Sequence, residues 1–293
     1  MALVGVFNAG NVSRVRGGTS AKLKSLAANN SRLNLFLASL PFLVTLVVLL
    51  VPFLAPHSPL VPAGAAFQPP GHGGFILGSD SVGRDELSRV LYGMRTSWFS
   101  ALAVIASGLI IGVTIGSVAA VAGGWVDTAL MRFTDIFLSL PGPVLAIAVV
   151  AALGPSLIHT LIGVGIVWWP FYARVVRGEI RALAARPHLE AAKLSGVKVI
   201  KRTFRHLLPG TLPALVVTAS LDIGNLVLTL AGLSFLGLGA PAPAPELGAM
   251  SARNLTYLLQ DYWTAVMPGI GILILALVGN LAGDGLRSLM KDR

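Results

Sequence analysis

The chain has 293 residues, 55% of them hydrophobic and 12% charged, with a formal net charge of +10 and no cysteine. The charged share is about half of what soluble globular domains carry, so water is not the main solvent of this protein. The lack of cysteine excludes a disulfide framework and a thiolate metal site, and the basic excess is informative through where it falls along the chain.

Residues 1–34 form a basic N-terminal segment in which Arg14, Arg16, Lys22, Lys24 and Arg32 face no acid. The apolar run over 35–55 is predicted as the first transmembrane helix. Ala63-Gly64-Ala65 looks like a cleavage site, but the run is too long for the apolar part of a signal peptide and is read as a retained anchor. Residues 56–98 form a nearly neutral loop, with Arg84, Arg89 and Arg95 balanced by Asp80, Asp85 and Glu86. Within it Leu87, Val90, Leu91 and Met94 recur at helical spacing. They predict an amphipathic helix over 85–95 lying in the membrane interface, with Trp98 at headgroup level.

Residues 99–283 make the core transmembrane domain, with further spans at 99–121, 133–153, 156–173, 208–230 and 264–283. Gly108, Gly112, Gly116 and Ala120 recur every four residues in the second span, a stripe suited to close helix packing. Pro141 and Pro143 interrupt the third span after Asp135. The loop 174–206 holds nine basic residues against Glu179 and Glu190, while 231–263 holds Arg253 against Glu246 and Asp261. The positive-inside rule then places 1–34, 174–206 and the tail 284–293 in the cytoplasm, both termini included. This topology accounts for the charge without nucleic acid as a partner.

The loop 174–206 reads as a helix-turn-helix at the cytoplasmic surface. Pro187 suits a first helical turn, and Gly196 supplies a left-handed cap. Small Ala191 and Ala192 admit a close partner, and Glu190 offers it a charge. Asp222 is the acid deep in an apolar span, where an ionisable group is costly unless it faces protein or water. Thr218, Asp222, Asn225 and Thr229 share one helical face. That face either lines a translocation path, with Asp222 attracting a cation such as a peptide amino terminus, or holds helices together through hydrogen bonds.

Glu190, Ala191, Ala192 and Gly196, followed by Leu208-Pro209, resemble the Glu-Ala-Ala signature of bacterial ATP-binding cassette importer permeases. Leu77-Gly78-Ser79-Asp80 with Gly83-Arg84-Asp85 and Ser88-Arg89 is similar to a segment of C-type dipeptide, oligopeptide and nickel permeases. So are Leu233 through Gly239, Pro268-Gly269, Asn280-Leu281 and Gly283 through Arg287. The departures are Gly210, where Asn is common; Leu230, where Glu is common; and Glu246-Leu247, where Ser-Trp is common.

The resemblance implies an all-α membrane protein of importer permease (MetI-like) fold, with six transmembrane helices and a cytoplasmic coupling helix around Glu190 to Gly196. It further implies a bacterial inner membrane location, a homologous second permease, two ATPase subunits that use ATP and Mg, and an external substrate-binding protein. Dipeptide, oligopeptide, glutathione and nickel chelate remain open as cargo. This chain has no Gly-rich loop ending in Gly-Lys-Ser/Thr and is expected to bind no cofactor and hydrolyse nothing itself. His57, His72, His159, His188 and His206 lack paired ligand spacing, so no metal site is expected. The alternative is a self-sufficient channel or ion-coupled transporter with Asp222 as coupling site; no inverted repeat speaks for it. An intramembrane serine protease around Ser234 lacks a following histidine as base.

Overall fold

The computed structural model describes residues 10–187, 189 and 194–291, with side chains placed for 32–187, 189 and 194–290. Apart from one isolated bridge between Ser79 and Asp85, every regular element among them is helical. In chain order these are α1 (Gly10–Leu54), α2 (Glu86–Ala122), α3 (Gly124–Leu138), α4 (Gly142–Leu153), α5 (Leu157–Ala184) and a short α6 (Val199–Arg202). A π-helical turn over Thr203–Leu207 leads into α7 (Leu208–Phe235), followed by α8 (Leu247–Arg253), a 3-10 turn over Leu255–Tyr257, and α9 (Trp263–Lys291).

Among the described residues four helices are long and apolar enough to cross a membrane: Arg32–Leu54 within α1, α2, Val199–Phe235 containing α7, and Trp263–Met290 within α9. The predicted third span, 133–153, is broken. Helices α3 and α4 meet at 82°, because Pro141 takes an extended ψ of 121° and Pro143 starts the new helix. Counted as one broken span, the pair brings the number to five. The predicted fourth span lies in α5, which is 28 residues long, but His159, Trp168-Trp169-Pro170 and Arg174 dilute its apolar character. Gly196 has a φ of +76°, the left-handed turn anticipated for it.

Residues 85–95 depart from expectation. They do not form a separate interfacial helix but are the first turns of α2, which continues unbroken over 37 residues, about 55 Å. No Pro interrupts the stretch. Trp98 is fully buried, and its indole Nε1 donates to Thr45 Oγ1 of α1 at 2.9 Å. A span needs only about 20 residues, so α2 is far longer than a span, and the loop after α1 folds against its first turns. Similarly, α9 runs helically through most of the predicted tail, to Lys291.

One apolar core joins α1, α2, α7 and α9 through Val48, Val51, Trp98, Val104, Leu226 and Leu275; a second gathers Tyr172, Val176, Ile180, Leu183, Leu189, Leu207 and Leu215. The glycine stripe of α2 lies directly on α5. A Cβ on Gly112 would stand 2.5 Å from Tyr172 Cβ and 2.9 Å from the Ala173 nitrogen, so only hydrogen permits this approach. Helices α7 and α9 cross at the same close range, with Gly224 against the Ala276 carbonyl and Asn280. Close backbone contact through small residues is how helices associate where no hydrophobic force drives them together.

Candidate functional site

Three places carry polar side chains that a lipid-exposed structure would not tolerate without a reason. The first is the junction of the loop after α1 with the starts of α2 and α9. Asp85 caps α2 by accepting from the Ser88 amide at 3.0 Å. Asp80 accepts from the amides of Val82 (3.0 Å) and Arg84 (2.9 Å), while Arg84 Nε donates to it at 2.6 Å and Arg89 Nε lies at 3.4 Å. Arg89 also donates to the Pro59 carbonyl at 2.7 Å, and Trp263 Nε1 reaches the Ser79 carbonyl at 3.2 Å. The motif residues Ser79, Asp80, Arg84, Asp85, Ser88 and Arg89 thus assemble a buried polar clasp that pins the loop after α1 to the tops of α2 and α9. Beside it Glu246 is buried and accepts from the Ala240 amide at 3.1 Å, and Arg253 donates to the Ala240 carbonyl at 2.6 Å. Burial pushes the Glu246 carboxyl above the usual carboxylate range, and pulls Arg253 down.

The second is the middle of α7. Asp222 is 8% exposed, and the Tyr172 hydroxyl of α5 donates to its Oδ2 at 2.7 Å. Thr218 and Thr229 return their hydroxyls to the Ala214 and Asn225 carbonyls of their own helix. Thr218 and Thr229 are half-buried and Asn225 is exposed. The four residues foreseen on one face therefore split, with Asp222 tied inward and Asn225 turned outward. Nothing in the sequence marks Tyr172 as its partner.

The third is the end of α5 that leads into the stretch around Glu190 to Gly196. Asp127 of α3 accepts from Arg177 Nη2 at 2.7 Å and from Arg181; one helical turn back, Arg174 pairs with Asp135. These two rungs bind α3 to α5. Arg174, Arg177 and Arg181 fall on one helical face, a spacing that signals such a ladder, although the same arginines also serve as the basic excess that sets topology. Beyond α5, the Leu189 amide donates to the Arg186 carbonyl at 2.9 Å, and the Leu189 side chain is buried in the second core. Glu190, Ala191 and Ala192 lie outside the described residues; Leu194 just past them is 88% exposed. At the departure Gly210, a Cβ would meet Leu183 Cδ1 at 2.7 Å, so glycine lets the start of α7 settle on the end of α5. Among the described residues no three of His, Asp and Glu gather at metal-binding range.

Residues 112–292 match the family model described as binding-protein-dependent transport system inner membrane component. The probable D,D-dipeptide transport system permease protein DdpC of Escherichia coli is 39% identical over 280 residues, covering 92% of this chain and 94% of that one. The di/tripeptide transport system permease protein DppC of Pseudomonas aeruginosa is 36% identical over 86% of this chain and 85% of its own. Among solved structures, an inward-facing MetNI methionine ABC transporter chain superposes with a TM-score of 0.56 at 22% identity, covering 69% of this chain and 97% of that chain. That likeness establishes the fold. With a matched core that includes Gly112 and Gly116 of the glycine stripe, the Asp222 helix and the segment around Gly196, this chain belongs to the family of binding-protein-dependent transport system inner membrane components.

Proposed function

We propose that this chain is one of two permease halves of an ATP-driven peptide importer, with a dipeptide-sized cargo. The observation that carries the reading is the near end-to-end match to a dipeptide permease, 92% of this chain against 94% of the relative. A homologous second permease completes the path, two ATPase subunits hydrolyse ATP with Mg on the cytoplasmic side, and an external binding protein delivers cargo. In this reading α5 is the sixth span beside the four apolar helices and the broken α3–α4 pair, and both termini are cytoplasmic.

Glu190, Ala191, Ala192 and Gly196 form the segment that docks on an ATPase. It is supported by the buried anchor Leu189, the left-handed turn at Gly196 and the exposed Leu194. Closure of the ATPases on ATP would pull this segment, move α5 and, through the Asp127 and Asp135 ion pairs, move α3 with it. Alternating access is then a population shift between two packings of the same helices. Of Thr218, Asp222, Asn225 and Thr229, the exposed Asn225 stands toward the path, half-buried Thr218 and Thr229 flank it, and Asp222 is set behind them against Tyr172. A second reading of Asp222, as a tie between α5 and α7, is favoured by its hydrogen bond from Tyr172. Cells deleted for the chain should lose ATP-dependent uptake of a labelled dipeptide and regain it on complementation. Uptake that persists, or that follows the proton gradient while ATP is held constant, would overturn the proposal in favour of an ion-coupled transporter.

A further inference from the structure

An open groove of about 320 Å³ runs between the last turns of α2 and the stretch that precedes α7. One wall is Val113, Ser117 and Val118, the other Ile200, Phe204 and Leu208. The residues are apolar yet uncovered: Ile200 is 74% exposed, Phe204 69% and Val118 49%. The Ser117 hydroxyl is buried in its wall without a hydrogen-bond partner, about 8 Å along α2 from Ala122. Lys198, Lys201, Arg202 and Arg205 interleave with the second wall, no acid occurs between residues 197 and 210, and none of the four cations has an ion-pair or hydrogen-bond partner among the described residues. The π-helical turn over Thr203–Leu207 sits in the middle of this wall, an insertion common at functional positions.

We propose that the groove holds an anionic phospholipid of the cytoplasmic leaflet. One acyl chain lies between α2 and the Val199–Leu208 stretch, and the headgroup phosphate rests on Lys198, Lys201, Arg202 and Arg205. The inference rests on the proposed sidedness, which puts 174–206 in the cytoplasm. Four to eight Lys or Arg directly cytoplasmic of a span attract the negatively charged inner leaflet. The α2 wall belongs to an apolar helix long enough to cross a membrane. An anionic lipid answers both the apolar floor and the four cations beside it. Through the Val199–Leu208 stretch the lipid would brace the link between the coupling segment and α7.

The test is native mass spectrometry of the purified transporter complex incubated with phosphatidylglycerol or chain-matched phosphatidylcholine. The complex should retain phosphatidylglycerol preferentially. The Lys201→Gln/Arg205→Gln double variant should lose that preference by roughly fivefold per charge removed, about 25-fold together. Val118→Trp, which fills the floor, should reduce retention of both lipids. Equal retention of the two lipids by the parent complex, or an unchanged preference in the double variant, would overturn the proposal, as would quantitative cross-linking of Phe204→Cys to the second permease. Because the chain has no cysteine of its own, Lys201→Cys also reports sidedness. Labelling by an impermeant maleimide from outside intact cells would overturn the inference by removing the topology beneath it, separately from any lipid result.

Discussion

Gly112→Ala adds one methyl group where the structure has no room for it. The new carbon would meet Tyr172 Cβ at 2.5 Å and the Ala173 nitrogen and Trp169 oxygen at 2.9 Å each. Two of these are backbone atoms and the third is fixed to backbone, so none yields by rotating a side chain. Helix α2 must move off α5, an overpacking cost of about 1–3 kcal/mol, and the shift also pulls Tyr172 from Asp222, a bond to a charged group worth about 1.5–3 kcal/mol. Alanine returns about 1 kcal/mol of helix propensity over glycine. The net expectation is a loss of about 1.5–5 kcal/mol. Gly178 on α5 is the internal control, because a Cβ there has nothing within 4 Å; Gly178→Ala should leave stability unchanged or raise it by up to about 1 kcal/mol. The assay is thermal unfolding of both purified variants in one detergent, where each 1 kcal/mol corresponds to roughly 2–4 °C in a chain of this size. Equal melting temperatures for the two variants would refute the account of the α2–α5 contact.

Asp222→Asn should lower uptake of free-amine dipeptides with assembly intact if the carboxylate attracts cargo. If Asp222 only ties α5 to α7, Tyr172→Phe and Asp222→Asn should each destabilise by about 1–3 kcal/mol with strong non-additivity in the double variant and no change in cargo preference. Asp127→Ala should cost about 1–3 kcal/mol and reduce transport per ATP hydrolysed, with recovery in Asp127→Glu; an unaltered coupling ratio would remove α3 from the transmission route. The Glu246 carboxyl, raised by burial, contributes stability that is full below its unfolded pKa and is lost as pH rises through the folded one. Glu246→Gln should therefore raise the melting temperature at pH 8 and leave it nearly unchanged at pH 4, and a parallel profile for parent and variant would show the carboxyl to be indifferent.

Four spans and the broken 133–153 pair were legible because twenty-residue apolar runs and four-residue glycine spacing are local patterns. Gly112 could be assigned to packing before its neighbour was known, and Pro141 to a break before its 82° was measured. The start of α2 was misjudged for an equally local reason. Amphipathic spacing over 85–95 reads the same whether the polar side meets water or a folded loop, and only the clasp of Asp80, Arg84 and Arg89 against the loop after α1 distinguishes them. Asp222 was visible as an anomaly; Tyr172, fifty residues away and unremarkable in its own helix, was not. The ladder of Asp127 with Arg177 and Arg181 was hidden by the same arginines' use in setting topology, since one charge can orient a loop and also pair across helices. Gly210 was a departure from the family pattern until Leu183 was seen against it.

The most direct test of the account is to extract the tagged chain gently from its native host and identify what co-purifies by mass spectrometry, with Glu190→Arg in parallel. The importer reading predicts a second permease and ATPase subunits with the parent chain, and loss of the ATPases alone in the variant. Recovery of the chain by itself, under conditions that keep other membrane complexes whole, would contradict it.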